Sequence, residues 1–91
     1  MSMINLLGEL TSTYWNTFIA YLKSKRKDSR WVRSNLSWLE RVMEVGTKAL
    51  HSLNEEAVYP FFEAVRENSE LRCLLVAECR KVVLQYQHQS S

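Results

Sequence analysis

The sequence predicts an all-α fold, a compact antiparallel four-helix bundle that associates as a homodimer. The 91 residues include only two glycines and one proline, which is little material for the tight turns of β-hairpins. Apolar residues instead recur at helical spacing along most of the chain. A chain of this length buries a modest core, and neither a disulfide nor a metal site is indicated, so self-association is the remaining source of added stability.

The chain has room for a single domain, residues 1–91. We expect helices at about 3–22, 29–53, 55–68 and 70–87, followed by a frayed tail at 88–91. Short connections favour antiparallel neighbours, so the first two helices should form a hairpin and the last should pack across both.

The longest apolar pattern, Trp31 to Leu53, is the element that the other segments must cover. With about 100° between successive residues, its apolar side chains fall on one face of a helix. Asp28 or Ser29 can cap this helix, and a later start at Ser34 or Ser37 is the alternative.

The first helix combines an apolar face with an opposite face that is polar but almost uncharged. Glu9 is its only charged residue before Lys23. Such a face is either solvated or part of a second interface, and both interpretations stay open. The uncharged polar residues are Asn5, Ser12, Thr13, Asn16 and Thr17.

Capping residues predict where the two later helices begin. Asn54 is placed to cap the third helix and Ser69 the last. Pro60 interrupts the third helical pattern because it lacks a backbone N–H. Either the helix kinks there, or a turn ends at Tyr59 and Pro60 begins a new helix.

The last helix carries two apolar stripes. The broader one faces the predicted core and includes Cys79, which we interpret as a small buried hydrophobe. The narrower stripe consists of Cys73, Ala77 and Leu84. A helix at the edge of a bundle needs one apolar face, so we predict that this narrower stripe contacts a partner chain. The alternative is that this helix lies centrally in its own bundle.

Residues that support catalysis or metal binding are sparse. Gly8 and Gly46 are isolated, so there is no glycine-rich phosphate loop. The two cysteines and two histidines lack the paired short spacing of structural zinc sites. We predict that the protein is not an enzyme and uses no catalytic residue, metal, cofactor or small-molecule substrate. Its tryptophans lie on apolar faces and are interpreted as packing residues.

The cellular compartment is predicted from three features that the sequence does not show: a membrane span, a signal peptide and a disulfide. No apolar run reaches the roughly 20 residues of a membrane span, and the N-terminus does not resemble a signal peptide. The two cysteines are placed where they cannot bridge each other, which indicates reduced thiols. We expect an intracellular protein of the cytoplasm or the nucleus that does not bind membranes.

A basic segment between the first two helices is the strongest functional signal. The formal net charge is only +2, but the cations are concentrated here. Such a cluster attracts phosphates, whereas the alternative is a solvated loop that keeps the protein soluble, or a nuclear import signal. Trp31 at its edge would either stack on a base or pack beneath the cluster. The six cations are Lys23, Lys25, Arg26, Lys27, Arg30 and Arg33.

Two functional hypotheses follow. The first is a small non-enzymatic adaptor or regulatory protein that acts by helix-mediated protein–protein interaction. It is motivated by more apolar surface than so short a chain can cover. The alternative is a nucleic-acid-binding protein that contacts phosphates through Lys23–Arg33. It ranks second because the net charge is low and the basic segment is short.

Overall fold

Five α-helices make up the part of the chain that the structure describes. This computed structural model describes residues 3–90, and side chains for residues 3–88. The helices are α1 (Met3–Lys25), α2 (Ser29–Ser34), α3 (Leu36–Ser52), α4 (Glu55–Arg66) and α5 (Ser69–Ser90). The all-α prediction is confirmed, whereas the prediction of four helices is wrong. The tail predicted at 88–91 is helical through Ser90, and Ser91 lies outside the described residues.

The predicted helix 29–53 is interrupted at Asn35, which separates α2 from α3. The Asn35 side-chain amide donates a 2.8 Å hydrogen bond to the backbone carbonyl of Trp31, four residues earlier. Asn35 has φ −116° and ψ 19°, which are not helical values. A side chain that competes for a helix carbonyl ends the helix locally. Helix α3 then begins at Leu36.

The starts of α2 and α4 follow the predicted capping chemistry, whereas α3 begins after Asn35 without a side-chain cap. Asp28 caps α2 and Asn54 caps α4, and each accepts a hydrogen bond from the N–H three residues on. Asn68, not Ser69, caps α5, because its side-chain oxygen accepts the corresponding bond at 3.0 Å. Helix α4 continues through Pro60, so a new helix does not begin there.

The helices pack chiefly as two antiparallel pairs, α1 with α5 and α3 with α4. In the first pair, Tyr21 of α1 bonds to Glu70 of α5. In the second, the indole N–H of Trp38 donates a 2.7 Å bond to the backbone carbonyl of Ala64. The predicted hairpin of the first two helices is wrong, because α1 packs along α5 whereas α3 packs along α4.

The two pairs form one compact but flattened body, with principal dimensions of 47 × 28 × 17 Å. The radius of gyration is 14.7 Å, against roughly 12 Å for a typical globular domain of this length. A flattened body has more surface per residue than a sphere. Part of its apolar surface is therefore left uncovered.

The core lies where the two pairs meet, and Phe61 of α4 connects them. Its ring contacts Phe18 of α1 edge-to-face, with 5.4 Å between centroids. Gly46 of α3 faces the same ring, and a Cβ atom there would lie 3.4 Å from it, so the missing side chain makes room for α4. The buried core residues are Phe18, Tyr21, Val42, Ala49, Phe61, Ala64, Val65, Leu71 and Leu75.

A polar network fixes the C-terminal end of α1 to the beginning of α5. The Tyr21 hydroxyl donates a 2.7 Å hydrogen bond to the Glu70 carboxylate and accepts one of 3.0 Å from the Asn68 amide. Lys25 forms an ion pair with the same carboxylate at 3.0 Å. The hydrogen bond from Tyr21 and the Lys25 charge hold the pKa of Glu70 below its usual value. This end of α1 is therefore anchored.

Candidate functional site

An open groove lies between α1 on one side and the α3–α4 pair on the other. Its volume is about 630 Å³, within the roughly 300–1,000 Å³ that is usual for binding pockets. We call it the α1–α3–α4 groove. Its lining residues are Leu10, Thr11, Tyr14, Trp15, Gly46, Ala49, Leu50, Leu53, Val58, Phe61, Phe62, Arg66 and Cys79.

Aromatic rings from α1 and α4 form one part of the groove wall. Tyr14 contacts Phe62 edge-to-face at 5.4 Å between centroids, and Trp15 lies 6.4 Å from Phe61. The groove stays open because α1 packs along α5 and not along α3. On the α3 side, Gly46 has no side chain to fill the space.

One face of α1 is covered at its C-terminal end and bare at its N-terminal end. Ile4, Leu7, Thr11, Trp15 and Phe18 share this face by helical spacing. Phe18 is 4% exposed, whereas Leu7 is 56% and Ile4 is 78% exposed. Helix α1 has 23 residues and α4 has 12, so α4 is too short to cover the whole face. We call the bare residues Ile4, Leu7 and Trp15 the α1 stripe.

Leu53 lines the groove beyond the end of α3 and combines two unfavourable features. Its backbone is left-handed, with φ 56° and ψ 23°, a conformation that glycine usually supplies at a helix end. Its side chain is also 76% exposed. Burial therefore does little to offset the backbone strain. Uncompensated strain of this kind tends to occur at functional sites.

Few polar groups face the groove. Burial raises the pKa of Tyr14 to about 12, with a smaller contribution from Cys79. Burial also raises the pKa of Cys79 itself, so both groups are protonated and neutral near pH 7. A protonated thiol is a poor nucleophile. Arg66 is the only charged residue among those that line the groove in the described part of the chain.

Tyr14 and Tyr21 are expected to make the fold sensitive to alkaline pH. Burial, helped by the Glu70 carboxylate, raises the pKa of Tyr21 to about 12, as burial does for Tyr14. The unfolded chain would release both protons near pH 10, before the folded chain does. The free energy of unfolding is therefore expected to be unaffected by these groups below about pH 10 and to fall as the pH rises towards about 12.

Urea unfolding followed by circular dichroism at several pH values across this range measures the effect. A double variant, Tyr14→Phe with Tyr21→Phe, is the control, because it removes the two hydroxyls and keeps every other side chain. We expect a shallower fall with pH in the double variant. Equal slopes in the two proteins would contradict the prediction.

The predicted interface residues Cys73, Ala77 and Leu84 lie on the outer surface of α5, where all three are exposed. None of them lines the groove. Arg80 and Lys81, also exposed, lie between Ala77 and Leu84 in the chain and divide the stripe. The contact of this stripe with a partner stays a prediction.

The basic segment lies at the turn from α1 into α2. Lys25 pairs with Glu70, and its ammonium group lies 5.5 and 5.7 Å from the ring centroids of Tyr21 and Trp31. Trp31 is half-buried and packs edge-on against Tyr21 and Trp38, so it lies beneath the cluster. Phosphate binding here stays a prediction. The exposed cations are Lys23, Arg26, Lys27, Arg30 and Arg33.

The described residues also show whether they include a metal site or a membrane-spanning helix. Among them, no three His, Cys, Asp or Glu side chains are grouped so that they could hold a metal ion. Over the same part of the chain, none of the helices combines the length and apolar character that crossing a membrane requires.

The α1–α3–α4 groove is concave, and its lining is almost wholly apolar. Besides its apolar walls it presents the neutral side chains of Tyr14 and Cys79 and the charged side chain of Arg66. Comparisons of the chain with protein-family models, with curated proteins and with solved structures find no match.

Proposed function

We propose that this protein is a small non-enzymatic adaptor or regulatory protein that binds an amphipathic helix of a protein partner in the α1–α3–α4 groove. The main support is the groove itself, which has a volume of about 630 Å³ and walls that are almost wholly apolar. Amphipathic helices bind in such grooves through apolar residues at positions i, i+3 or i+4, and i+7.

A helix suits the groove better than a small molecule does. Pockets for small molecules enclose most of the ligand surface, whereas this groove is open to solvent and continues into the α1 stripe. A helix presents a long apolar face, and an open surface of this kind can cover such a face. Exposed apolar surface that is contiguous on a small chain commonly marks an interaction site.

The chemistry of the groove supports binding without catalysis. Tyr14 and Cys79 are the titratable groups in the groove whose pKa is shifted, and both shifts favour the neutral protonated form. General acid–base catalysis needs a group that titrates near the working pH. Rigid aromatic side chains, here Trp15 and Phe62, are instead the residue type that anchors protein interfaces.

A displayed library of helical peptides tests the proposal, with apolar residues at fixed helical spacing and the other positions varied. The wild-type protein is expected to select peptides from it. Replacing Leu50 by glutamate places a charge in the groove and is expected to weaken binding at least about tenfold. Replacing Leu84 by glutamate is the matched control, because Leu84 is similarly exposed but lies outside the groove.

The selected peptides should bind the Leu84→Glu variant as they bind wild type. Equal binding by the Leu50→Glu variant, or selection of no peptide by a chain that sedimentation shows to be monomeric, would contradict the proposal. Circular dichroism spectra of both variants establish that each is folded, which is expected because Leu50 and Leu84 are both exposed.

A further inference from the structure

We infer that the helix that occupies the groove is α1 of a second copy of this chain. The inference rests on the proposed function and names the partner of the same groove. In the resulting dimer, the α1 stripe of each copy covers the Leu50 and Leu53 side of the other copy's groove.

The charge distribution of α1 supports this occupant. Residues 3–22 contain one charged residue, Glu9, which points away from Leu7 because the two are two residues apart on the helix. The groove contributes only Arg66 to the charge of its lining in the described chain. The α3 side of the groove, which includes Leu50 and Leu53, has no charged residue in its lining among the described residues. The α1 helix can therefore cover that side without burying an unpaired charge, which would be costly.

The exposed apolar area around the groove also supports a second copy of the chain as the occupant. The exposed apolar residues around the groove are Ile4, Leu7, Trp15, Leu50, Leu53 and Phe62, with exposed fractions from 38% to 78%. Together they present on the order of 700 Å² per copy, close to the roughly 800 Å² that each partner buries in a standard interface. A second copy would cover this surface on both chains at once.

Two-fold symmetry limits this assembly to a dimer. In a two-fold dimer, if Leu7 of one copy contacts Leu50 of the other, then Leu50 of the first contacts Leu7 of the second. Trp15 belongs both to the groove lining and to the α1 stripe, and Leu7 lies on the same face of α1 by helical spacing, so one association can cover both surfaces. The outer stripe of α5 is less suited to a seam, because Arg80 and Lys81 divide it.

Reciprocal charge variants test this contact. Sedimentation velocity of the wild-type chain at micromolar concentrations is expected to show a dimer. The variants Leu7→Glu and Leu50→Lys, each measured alone, are expected to dissociate at least about tenfold more readily, because each places two unpaired charges in the seam. An equimolar mixture of the two is expected to recover the dimer, since the introduced carboxylate of one chain then meets the introduced ammonium group of the other, while the second contact stays Leu–Leu.

The Leu84→Glu variant is the control and is expected to remain a dimer. A dimer that is lost in Leu84→Glu but kept in Leu7→Glu would place the seam on α5 and overturn the inference. No recovery in the mixture would overturn the pairing of Leu7 with Leu50. A monomeric wild-type chain would exclude the second copy as occupant, and the peptide library would then decide separately whether the groove binds a helix of another protein.

Discussion

Replacement of Phe61 by alanine is expected to lower the free energy of unfolding by about 3–5 kcal/mol. The ring is buried and contacts Phe18, Tyr14 and Trp15 of α1, so its removal leaves a cavity between the two helix pairs. Whole domains are stabilised by roughly 5–15 kcal/mol, which makes this a large fraction of the total. Urea unfolding followed by circular dichroism measures the loss.

Phe62→Ala is the matched control for this prediction. Phe62 is the same residue type, one position along α4, but its ring is partly exposed in the groove. Its removal loses less buried area, and we expect a cost of about 1 kcal/mol. Equal losses for Phe61→Ala and Phe62→Ala would show that Phe61 does not connect the helix pairs as described.

Replacement of Leu71 by alanine is expected to cost about 2–5 kcal/mol. Leu71 is 0% exposed and lies in the first turn of α5, three residues after the Asn68 cap. The cap itself is kept, because it uses the backbone N–H of residue 71 and not its side chain. The loss is therefore a packing effect, and it is measured by the same urea unfolding.

Leu74→Ala removes the same atoms three residues further along α5, where the side chain is 43% exposed. Helix propensity is nearly unchanged by either substitution, since leucine and alanine are both good helix formers. We expect a cost below about 1 kcal/mol for Leu74→Ala. A cost as large as that of Leu71→Ala would contradict the burial described here.

Local chemistry makes the helices predictable from the sequence. Apolar spacing identifies the helical segments, and Asp28 and Asn54 are caps because their short side chains accept a bond from the N–H three residues on. The interruption at Asn35 is not predictable in this way. It depends on the side-chain amide of Asn35, which binds the backbone carbonyl of Trp31. The apolar pattern continues from Trp31 to Leu39 without a break, so it does not indicate this interruption.

The pairing of the helices depends on long-range contacts that the apolar pattern does not specify. Apolar spacing indicates which face of a helix is buried, not which helix buries it. Tyr21, Asn68 and Glu70 align α1 with α5 through side chains 47 and 49 residues apart in the chain. Nothing in the local sequence around any one of them indicates that connection.

The groove escapes sequence-based prediction for a related reason. The apolar pattern of residues 31–53 assigns the whole face to the core, but Leu50 and Leu53 are exposed on the groove side. The sequence does contain a signal, because it has more apolar surface than so short a chain can bury. Which part of that surface stays bare depends on the lengths of α1 and α4, and hence on the tertiary arrangement.

The exposed N-terminal end of α1 and the buried core are expected to be under different selective constraints. Val42, Val65 and Leu71 are almost completely buried and hold the fold, whereas Ile4 and Leu7 contribute little to that core. Substitutions at Ile4 and Leu7 are therefore expected to leave the folded state nearly as stable and, under the proposed function, to change which partner the surface binds. A chain built in this way can acquire or lose a binding partner over evolutionary time without passing through unfolded intermediates.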